Sequence, residues 1–548
     1  MQENFATILE TVADLRADRT AVTHGTVRLT WRQLDERAAR LAAFLASRGV
    51  AAEDRVAVAL YNGPEYLESV FATLKLRAIP VNVNYRYQPE EMLHVFADAR
   101  VTAVIFDASL RSRVIPASAG ASRLHTLVQA GADDADGGDD GASVSRYEDV
   151  IAAAPPLPRA ARGNDHWLMY TGGTTGKPKG VLVRHAWLYP VISANGFRLI
   201  GEQVPGSLAE LRAATGRLTA ASGDAIVCLP APPLKHATGM YTTLGALVAS
   251  GRVVFLTSRS YDAGELARTV GAERVDTVSM VGDVFALPLA DALDQAAAQG
   301  RPYDVSSLRR ILSVGVTWSA DVKRRLLAHG DFVCRDLIAA SEGGPFAVSE
   351  TRRGERAVTS RFTLFPGARV IDDEGRDVVP GSGQVGMLAA PADDTIGYLG
   401  DEEKTAQTFR TFGGSRWVVT GDLASLAADG SVTFRGRGSR VINTGGEKVF
   451  AEEVEQVLIE HPAVRDALVV GLPDPRWGHR VTAVIAPAGP VAVTGDELAA
   501  HVGERLAAYK KPRGVVFVDA IRRSPSGKAD LRWAAETAAS AAAAEPPA

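Results

Sequence analysis

Residues His166 to Trp187 read HWLMYTGGTTGKPKGVLVRHAW, and this stretch decides how the chain is interpreted. An apolar run from Trp167 to Tyr170 precedes ten residues that hold four glycines, three threonines and two lysines, and a second apolar run covers Val181 to Val183. The pattern predicts a strand, a loop and another strand. Glycines allow the close backbone approach that an anion requires, while threonine hydroxyls and lysine ammonium groups donate hydrogen bonds. We interpret this as a polyphosphate-binding loop; an ordinary glycine-rich hairpin turn is the alternative.

This loop differs from the Walker A phosphate-binding loop. No glycine lies five residues before Gly176-Lys177, and Pro178 stands where Walker A has the serine or threonine that binds magnesium. The sequence therefore predicts a nucleotide site of another type.

Composition bounds the function classes. The chain has 548 residues, which exceeds one ordinary domain, and its net charge of -4 argues against a nucleic-acid binder. Its two cysteines, Cys228 and Cys334, indicate neither a disulfide framework nor a cysteine metal cluster. The N-terminus lacks a secretory pattern, and no run of 18 apolar residues occurs. We expect a cytoplasmic protein with no nucleic-acid partner and no membrane span; a homodimer is left open as its assembly.

The first part of the chain alternates between strand and helix patterns. Runs of apolar residues predict strands at Arg55 to Leu60, Ile79 to Val83 and Val101 to Phe106, with helical patterns opening at Pro64 and Pro89. This alternation predicts the fold class α/β, with doubly wound and mostly parallel sheets.

The pattern of predicted strands and helices changes near residue 436, and this change predicts a second domain. We expect a large domain at 1–436 and a smaller α+β domain at 437–533. The segment 117–145 has a GADDADGGDDGAS core and is predicted to be a mobile surface loop, and the alanine-rich tail 534–548 is predicted to be disordered.

Four residues outside the glycine-rich stretch stand where chemistry is expected. His236 follows a rigid proline turn, Glu342 follows the C-terminal end of a presumed strand, Asp422 follows a short strand and a glycine, and Lys528 lies at the tip of a turn. Ligands of open α/β sheets bind at strand C-terminal ends, and a carboxylate there suits magnesium held against phosphate. Taken singly, the alternatives are a structural histidine, a solvated glutamate, a turn-capping aspartate and a surface lysine.

Taken in order, these pieces resemble the adenylate-forming superfamily, which includes acyl-CoA synthetases, luciferases and peptide-synthetase adenylation domains. The resemblance spans nearly everything from Asp14 to Trp533, and within the superfamily it is strongest to fatty-acid-type CoA ligases of actinobacterial character. The motifs that carry it are YTGGTTGKPKG, PLKHATG, VTGD, GRGSRVINTGGEKVFAEEVE and PSGK.

The resemblance implies a two-step reaction that uses ATP, Mg²⁺ and CoA. A carboxylate attacks the α-phosphorus of ATP, which gives an acyl-adenylate and pyrophosphate, and the CoA thiolate then displaces AMP. The small domain is expected to swing between the two steps, which would let its lysine act as a gate.

The resemblance also implies residue roles. Phosphate contacts are expected from Thr171, Gly172, Gly173, Thr174, Thr175, Gly176 and Lys179. Glu342 and Thr174 would hold magnesium, and Lys528 would neutralise charge that develops between the carboxylate and the α-phosphate. The catalytic set is predicted to be Lys528, Glu342, Thr174 and His236. Nucleotide contacts are expected from Ile338, Ser341, Asp422 and Arg437, and the pantetheine arm is expected to pass Gly445 and Gly446.

One departure from the superfamily pattern leaves the second substrate open. The aromatic-Gly-x-Ser/Thr-Glu motif reads Ile338-Ala339-Ala340-Ser341-Glu342, so the ring that stacks on adenine is replaced by an aliphatic side chain. Some members of the superfamily are diazotases that activate nitrite and convert an aromatic amine to a diazonium, and this is the first alternative. A stand-alone adenylation domain that loads a carrier protein is the second.

Overall fold

The computed structural model describes residues 1–131, 143–171, 178–221, 223–316, 318–359, 361–392, 395–444, 447–474, 478–489, 493–523 and 528–544. The chain forms two compact units. Unit 1 comprises Met1–Met280, Ala296–Ile311 and Ala392–Ala406, and unit 2 comprises Val281–Gln295, Leu312–Pro391 and Gln407–Ala548. The predicted domain boundary at residue 436 is a different division of the chain and stays a prediction.

In chain order the α-helices are α1 (Phe5–Leu15), α2 (Trp31–Ser47), α3 (Pro64–Lys75), α4 (Pro89–Asp98), α5 (Arg111–Ala119), α6 (Tyr147–Ala153), α7 (His185–Ala194), α8 (Leu208–Ala220), α9 (Ala237–Val248), α10 (Ala263–Glu273), α11 (Gly282–Ala298), α12 (Ala320–Ala328), α13 (Glu402–Thr408), α14 (Ala451–Ile459), α15 (Gly495–Gly503) and α16 (Leu531–Ala544).

The strands are β1 (Thr20–His24), β2 (Val27–Thr30), β3 (Arg55–Ala59), β4 (Ile79–Asn82), β5 (Val101–Asp107), β6 (Thr126–Ala130), β7 (Val144–Arg146), β8 (His166–Thr171), β9 (Lys179–Arg184), β10 (Val227–Pro230), β11 (Arg252–Phe255), β12 (Thr277–Met280), β13 (Arg310–Val314), β14 (Val333–Ala340), β15 (Gly343–Thr351), β16 (Arg361–Leu364), β17 (Arg369–Ile371), β18 (Val385–Pro391), β19 (Thr395–Tyr398), β20 (Phe409–Phe412), β21 (Ser415–Leu426), β22 (Val432–Arg437), β23 (Val441–Thr444), β24 (Glu447–Phe450), β25 (Val464–Asp474), β26 (Gly478–Pro487) and β27 (Gly514–Phe517).

Unit 1 carries the two strands that flank the glycine-rich stretch. They belong to a sheet with the order β19-β9-β8-β4-β3-β5-β6-β7. The run from β8 to β7 is parallel, while β9 pairs antiparallel with β8 and with β19. Helices α3, α4 and α5 connect successive parallel strands, which confirms the α/β alternation predicted from the sequence. A second set of strands in this unit, β12, β10, β11 and β1, is also parallel, and β2 closes it as a hairpin with β1.

Unit 2 is built mainly from antiparallel strands. β17, β18, β21, β22, β16, β15 and β14 are neighbours in that order and pair antiparallel. Short hairpins join β14 to β15 and β21 to β22, and connections this short permit antiparallel pairing, whereas parallel strands need crossovers of a dozen or more residues. A smaller sheet, β24-β23-β26-β25, with β27 parallel to β26, carries helices α14, α15 and α16 and gives the predicted small α+β C-terminal part.

Local sequence signals explain several helix starts. The hydroxyl of Thr30 accepts a hydrogen bond from the backbone N–H of Gln33 at 3.2 Å, and the Gln33 side chain accepts one from the N–H of Thr30 at 2.8 Å. Together these two bonds form a capping box at the start of α2. Pro64 and Pro89 occupy the first positions of α3 and α4, as predicted. Among the described ranges, no helix combines the length and the apolar character needed to cross a bilayer.

The structure corrects the predicted loop at 117–145. Residues 117–119 end α5, β6 crosses the middle of the segment with its side chains largely buried, and β7 begins at Val144. Composition averaged over the whole segment hid the short apolar run TLVQA, which adds one parallel strand beside β5. The acidic core of the segment, 132–142, lies outside the described residues.

The structure also corrects the predicted disordered tail. Residues 531–544 form α16, in which Ala534 and Ala538 are fully buried. They lie four residues apart on one helix face and pack in a cluster with Leu468 and Val470 of β25. An alanine-rich stretch shows no clear stripe of large apolar residues, yet its small side chains let the helix approach the sheet closely.

Candidate active site

The strands on either side of the glycine-rich loop place Thr171 and Lys179 directly opposite each other. Thr171 ends β8, Lys179 begins β9, and the two residues are paired in the antiparallel register. Lys179 was predicted to lie in the loop, but it is the first residue of the strand. Five of the predicted phosphate-binding residues lie outside the described residues: Gly172, Gly173, Thr174, Thr175 and Gly176.

The ammonium group of Lys179 forms an ion pair with the carboxylate of Asp401, which immediately precedes α13. Asp401 also accepts a hydrogen bond from the backbone N–H of Lys404 at 2.9 Å. The hydrogen bond from Lys179 is the main cause that holds the pKa of Asp401 below its usual range. Lys179 is 44% exposed, so its charge is held at a defined place and remains accessible to an anion.

Asn82, at the end of β4, ties the start of the glycine-rich loop to the segment that carries His236. Its side-chain oxygen accepts from the N–H of Tyr170 at 2.6 Å, and its amide donates to the carbonyl of Tyr170 at 2.9 Å and to the carbonyl of Lys235 at 2.6 Å. This residue was not predicted from the sequence. The available signal was an asparagine in an otherwise apolar strand, Ile79–Asn82.

His236 lies at the N-cap of α9 and is partly buried. Its backbone N–H donates to the carbonyl of Pro233 at 3.0 Å, and the turn before it is held by Asn62, which accepts from the N–H of Leu234 at 2.8 Å. Three residues later Gly239 is required, since a Cβ atom there would lie 2.6 Å from the Pro233 carbonyl oxygen. The predicted rigid proline turn is therefore present, and it fixes the position of the histidine backbone.

Lys235 is a buried lysine that the sequence analysis did not single out. Only 2% of it is exposed, its ammonium group is hydrogen-bonded to the Asn84 side chain, and it lies 4.2 Å from the centre of the Tyr85 ring. Burial lowers the pKa of Lys235 to about 7, and the nearby charge of Arg86 acts in the same direction. The side chain therefore anchors the turn after β4 to the residue that precedes His236.

In unit 2, Ser341 and Glu342 form the two-residue tip of a hairpin. β14 ends at Ala340, β15 begins at Gly343, and these two residues face each other in the register. Ile338 is paired with Ala347 on the same hairpin, and Ile338, Ser341 and Glu342 are all partly buried. The predicted strand before Ser341-Glu342 is confirmed.

The hairpin tip is seated on the strand that carries Asp422. A Cβ atom on Gly343 would lie 2.4 Å from Cγ1 of Val418 in β21, so the Val418 side chain packs directly against the Gly343 backbone. Asp422 lies four residues further along β21. The candidate magnesium ligand Glu342 and the candidate ribose ligand Asp422 therefore belong to one packed arrangement.

Asp422 lies within β21, not after a strand end as predicted. Gly421 has a φ of 80°, and between the pairs Met387↔Leu423 and Ala389↔Val419 the register shifts, so the strand bulges at this point. The bulge re-aims Asp422, which is 3% exposed and accepts a 2.5 Å hydrogen bond from the Thr420 hydroxyl. Arg437 is its register partner on β22. The Arg437 side chain lies outside the described part of the chain.

A buried cluster of charged residues supports the same hairpin and was missed from the sequence. The Lys323 ammonium group lies 3.2 Å from the carboxylate of Asp336 in β14, and it also donates to the carbonyl of Val358 at 3.2 Å. Burial raises the pKa of Asp336 to about 6, although Lys323 acts in the opposite direction. Burial likewise raises the pKa of Asp283 to about 6, against the hydrogen bond that it accepts from the Ser319 N–H.

Lys528 lies in the C-terminal part of unit 2 and is exposed. It directly precedes Ala529, which forms a β-bridge with Arg523. Gly445 and Gly446, the predicted pantetheine contacts, lie outside the described residues.

The residues present fit a magnesium ion that arrives with a nucleotide. Mg²⁺ is usually bound through one or two carboxylates together with waters and substrate phosphates. Glu342 offers one carboxylate at the hairpin tip. In the part of the chain that the structure describes, no group of three or more His, Cys, Asp or Glu side chains is arranged to hold a metal ion.

Comparison with known proteins decides the family. The profile of the AMP-binding enzyme family matches residues 9–390, and that of the AMP-binding enzyme C-terminal domain matches residues 453–528. The chain belongs to the AMP-binding enzyme family. The family predicted from the sequence motifs is thereby confirmed.

Two curated relatives match this AMP-binding enzyme over nearly its whole length. The 3-oxocholest-4-en-26-oate–CoA ligase of Rhodococcus rhodochrous is 36% identical over 549 residues, which cover 97% of this chain and 96% of the relative. The medium/long-chain-fatty-acid–CoA/3-oxocholest-4-en-26-oate–CoA ligase of Mycolicibacterium smegmatis is 37% identical over 541 residues, with the same coverage.

Solved structures confirm the fold of this AMP-binding enzyme. The anthranilate CoA ligase AuaEII in complex with anthranoyl-AMP superposes with a TM-score of 0.80 at 24% identity and covers 98% of each chain. The benzoate CoA ligase from Burkholderia xenovorans LB400 gives a TM-score of 0.79 at 23% identity and covers 97% of this chain and 99% of that one. The predicted α/β class, with a large N-terminal and a smaller C-terminal domain, is thus confirmed.

Proposed function

We propose that this AMP-binding enzyme is an acid–CoA ligase that activates a carboxylic acid with ATP and transfers the acyl group to CoA. The observation that carries the proposal is the similarity to relatives named as CoA ligases, which are 36% and 37% identical over 97% of this chain. The names of these relatives support a fatty acid or a bulky branched acid, such as a steroid side-chain acid, as the substrate.

In the first half-reaction, an oxygen of the acid attacks the α-phosphorus of ATP, and the bond to pyrophosphate breaks. Little of this chemistry needs a protein nucleophile, because a loose phosphorus-centred transition state is stabilised mainly by positioned cations and donors. Thr171, Lys179 and the loop between them would bind phosphate oxygens. Lys179 is suited to this role because it is held by Asp401 and still accessible.

The hairpin tip and β21 would bind the rest of the nucleotide. Asp422 would accept hydrogen bonds from ribose hydroxyls, and Arg437 is its partner in the register. Glu342 and Thr174 would hold Mg²⁺, which would neutralise phosphate charge. Ser341 and Ile338 would contact the nucleotide base, with Ile338 supplying an aliphatic surface in place of a ring.

Lys528 would neutralise the charge that develops between the acid and the α-phosphate. His236 would border the acid site from the start of α9. In the second half-reaction, the CoA thiolate attacks the acyl carbon, and the bond to AMP breaks. Gly445 and Gly446 would let the pantetheine arm pass close to the backbone. A homodimeric assembly and a cytoplasmic location stay predictions.

The test is a pyrophosphate-release screen of the purified protein. One arm supplies fatty, steroid side-chain and aromatic acids with ATP, Mg²⁺ and CoA, and a parallel arm supplies nitrite with an arylamine. We expect pyrophosphate release that depends on an acid, with CoA consumed in step with AMP formation. Release that requires nitrite and an arylamine while CoA stays inert would replace the proposal with a diazotase. Transfer of the acyl group to a phosphopantetheine carrier, but never to free CoA, would replace it with a carrier-loading enzyme.

A further inference from the structure

The segment that carries Lys528 is closed at its base by backbone contacts. Arg523 and Ala529, on either side of residues 524–528, form an antiparallel β-bridge. One residue further out, the N–H of Asp530 donates to the carbonyl of Arg522 at 2.9 Å. The chain therefore enters and leaves this segment at a defined place.

A bidentate ion pair fixes the entering side of the segment. Nε of Arg523 donates to Oδ2 of Asp466 at 2.9 Å, and Nη2 donates to Oδ1 at 2.7 Å. The side chains are 17% and 26% exposed, so the pair is partly shielded from water. Two parallel N–H···O bonds set the orientation of the guanidinium plane as well as its position. Asp466 thus fixes the orientation of the Arg523 guanidinium group as well as its distance from the carboxylate.

Asp466 itself belongs to a paired strand of the smaller sheet. It lies near the start of β25, opposite Ala486 on β26. The residues before and after the lysine segment pack on the same strand, since Ile521 and Ala534 share a buried cluster with Leu468 and Val470. On the other side of β25, Glu455 accepts a 2.7 Å hydrogen bond from the N–H of Val469. Glu455 also binds Arg440, which lies just after the predicted ribose ligand Arg437.

We propose that Asp466 is a positioning residue for Lys528, acting through the bidentate hydrogen bonds to Arg523. This inference rests on the role of Lys528 in adenylation given above. The ammonium group of a long, exposed side chain reaches a reacting phosphate reproducibly only if its backbone is held in place. A misplacement of about 1 Å can cost a hundredfold in rate. Asp466 touches neither substrate nor nucleotide in this role.

The test compares Asp466→Asn with a control, Glu460→Gln, which removes the carboxylate of a surface ion pair with Arg505 in the same part of the chain. We expect Asp466→Asn to lower kcat of acid-dependent ATP–pyrophosphate exchange by about 10- to 100-fold. The KM for ATP and for the acid should stay within about twofold, as should thioester formation from supplied acyl-adenylate. Glu460→Gln should match the wild type in all of these measurements. Arg523→Lys keeps the positive charge but loses the two parallel N–H donors, so its exchange rate should fall as in Asp466→Asn. Asp466→Glu, which keeps the carboxylate, should retain part of the exchange rate.

A double variant distinguishes the positioning role of Asp466 from the role of Lys528 in adenylation. If Lys528→Ala lowers exchange and Asp466→Asn adds nothing in that background, the inference holds. If Lys528→Ala lowers exchange but Asp466→Asn alone does not, the positioning role is wrong while the proposed function stands. If Lys528→Ala leaves exchange unchanged, the lysine assignment fails first. Equal losses in exchange and in thioester formation for Asp466→Asn would reduce the ion pair to a structural role and overturn the inference.

Discussion

The side chain of Asn82 is hydrogen-bonded to both backbone polar groups of Tyr170, at 2.6 Å to the N–H and 2.9 Å to the carbonyl. The amide side chain thereby pairs with the backbone near the end of β8 as a residue of a neighbouring strand would. The glycine-rich loop begins at this point. The same amide reaches the carbonyl of Lys235. A single side chain thus joins the start of the glycine-rich stretch to the segment of His236.

Replacing Asn82 should therefore affect stability and ATP use together. Asn82→Ala leaves three partly buried backbone groups without this partner, which should cost about 2 to 3 kcal/mol of unfolding free energy. The KM for ATP should rise, because Tyr170 adjoins the loop. Urea denaturation and steady-state kinetics check this. Asn195→Ala, which removes a 3.1 Å bond to a carbonyl within its own helix region, is the control and should change KM little.

The close approach of Gly343 and Val418 gives a second prediction. Gly343→Ala puts a Cβ atom 2.4 Å from Cγ1 of Val418, so the hairpin of Glu342 or the strand of Asp422 must shift. Overpacking of this kind should cost about 1 to 3 kcal/mol, and the adenylation rate should fall. The double variant Gly343→Ala/Val418→Ala should recover part of both. Gly163→Ala, where a Cβ meets nothing within 4 Å, is the control. Normal activity of the single variant would contradict the packing argument.

Removing Lys323 should destabilise the protein in a pH-dependent way. Asp336 has a pKa raised to about 6 by burial even beside Lys323, so its charged form is costly above that pH. In Lys323→Met the unpaired carboxylate should cost about 3 to 5 kcal/mol at pH 8. The deficit should shrink toward pH 5, where Asp336 takes up a proton in the folded state. Denaturation at both pH values measures it, and Lys323→Met/Asp336→Asn should remove the pH dependence. A deficit equal at pH 5 and pH 8 would contradict this account.

His185 should contribute to acid sensitivity. It is fully buried, its Nδ1 accepts from the N–H of Phe5 at 3.3 Å, and burial lowers its pKa to about 4. Because the folded-state pKa lies below the ordinary value of 6.5, the unfolded state binds more protons between these two values. The stability due to neutral His185 is therefore complete above pH 6.5 and is lost as the pH falls toward 4.

The measurement compares wild type with His185→Gln, which retains a hydrogen-bond acceptor. Between pH 7 and pH 4.5 the wild type should lose about 2 to 3 kcal/mol more unfolding free energy than the variant. Parallel pH profiles for the two proteins would show that His185 does not titrate in this way.

Lys528→Ala should reduce acid-dependent ATP–pyrophosphate exchange by several orders of magnitude, because the charge that develops on oxygens of the acid and the α-phosphate would lose the cation proposed to stabilise it. ATP binding, measured by calorimetry, should change little. Thioester formation from supplied acyl-adenylate serves as the internal control and should persist. Unchanged exchange would remove the lysine from the mechanism.

Local patterns in the sequence were sufficient for much of the fold. The prolines that open α3 and α4 and the apolar runs of β3, β4 and β5 involve neighbours a few residues apart, and each was predicted. The prediction of a loop at β6 was wrong because it used the average composition of the segment and not the local pattern of apolar residues. The prediction of a disordered tail at α16 was wrong because an alanine-rich segment shows no clear periodicity. The bulge at Gly421 was also missed, because the residues that it displaces face a distant strand.

The sequence by itself determined the family, the order of the motifs and the residue types available for adenylation, since these are carried by contiguous stretches. Only the tertiary structure decided how those stretches are supported. The Asn82 side chain forms hydrogen bonds to Tyr170 and Lys235, which lie 88 and 153 positions further along the chain. Gly343 packs against Val418, and Asp466 forms an ion pair with Arg523, 57 positions away. The physical reason is that hydrogen-bond geometry and close packing depend on distances set by the whole fold, while periodicity and capping depend only on near neighbours.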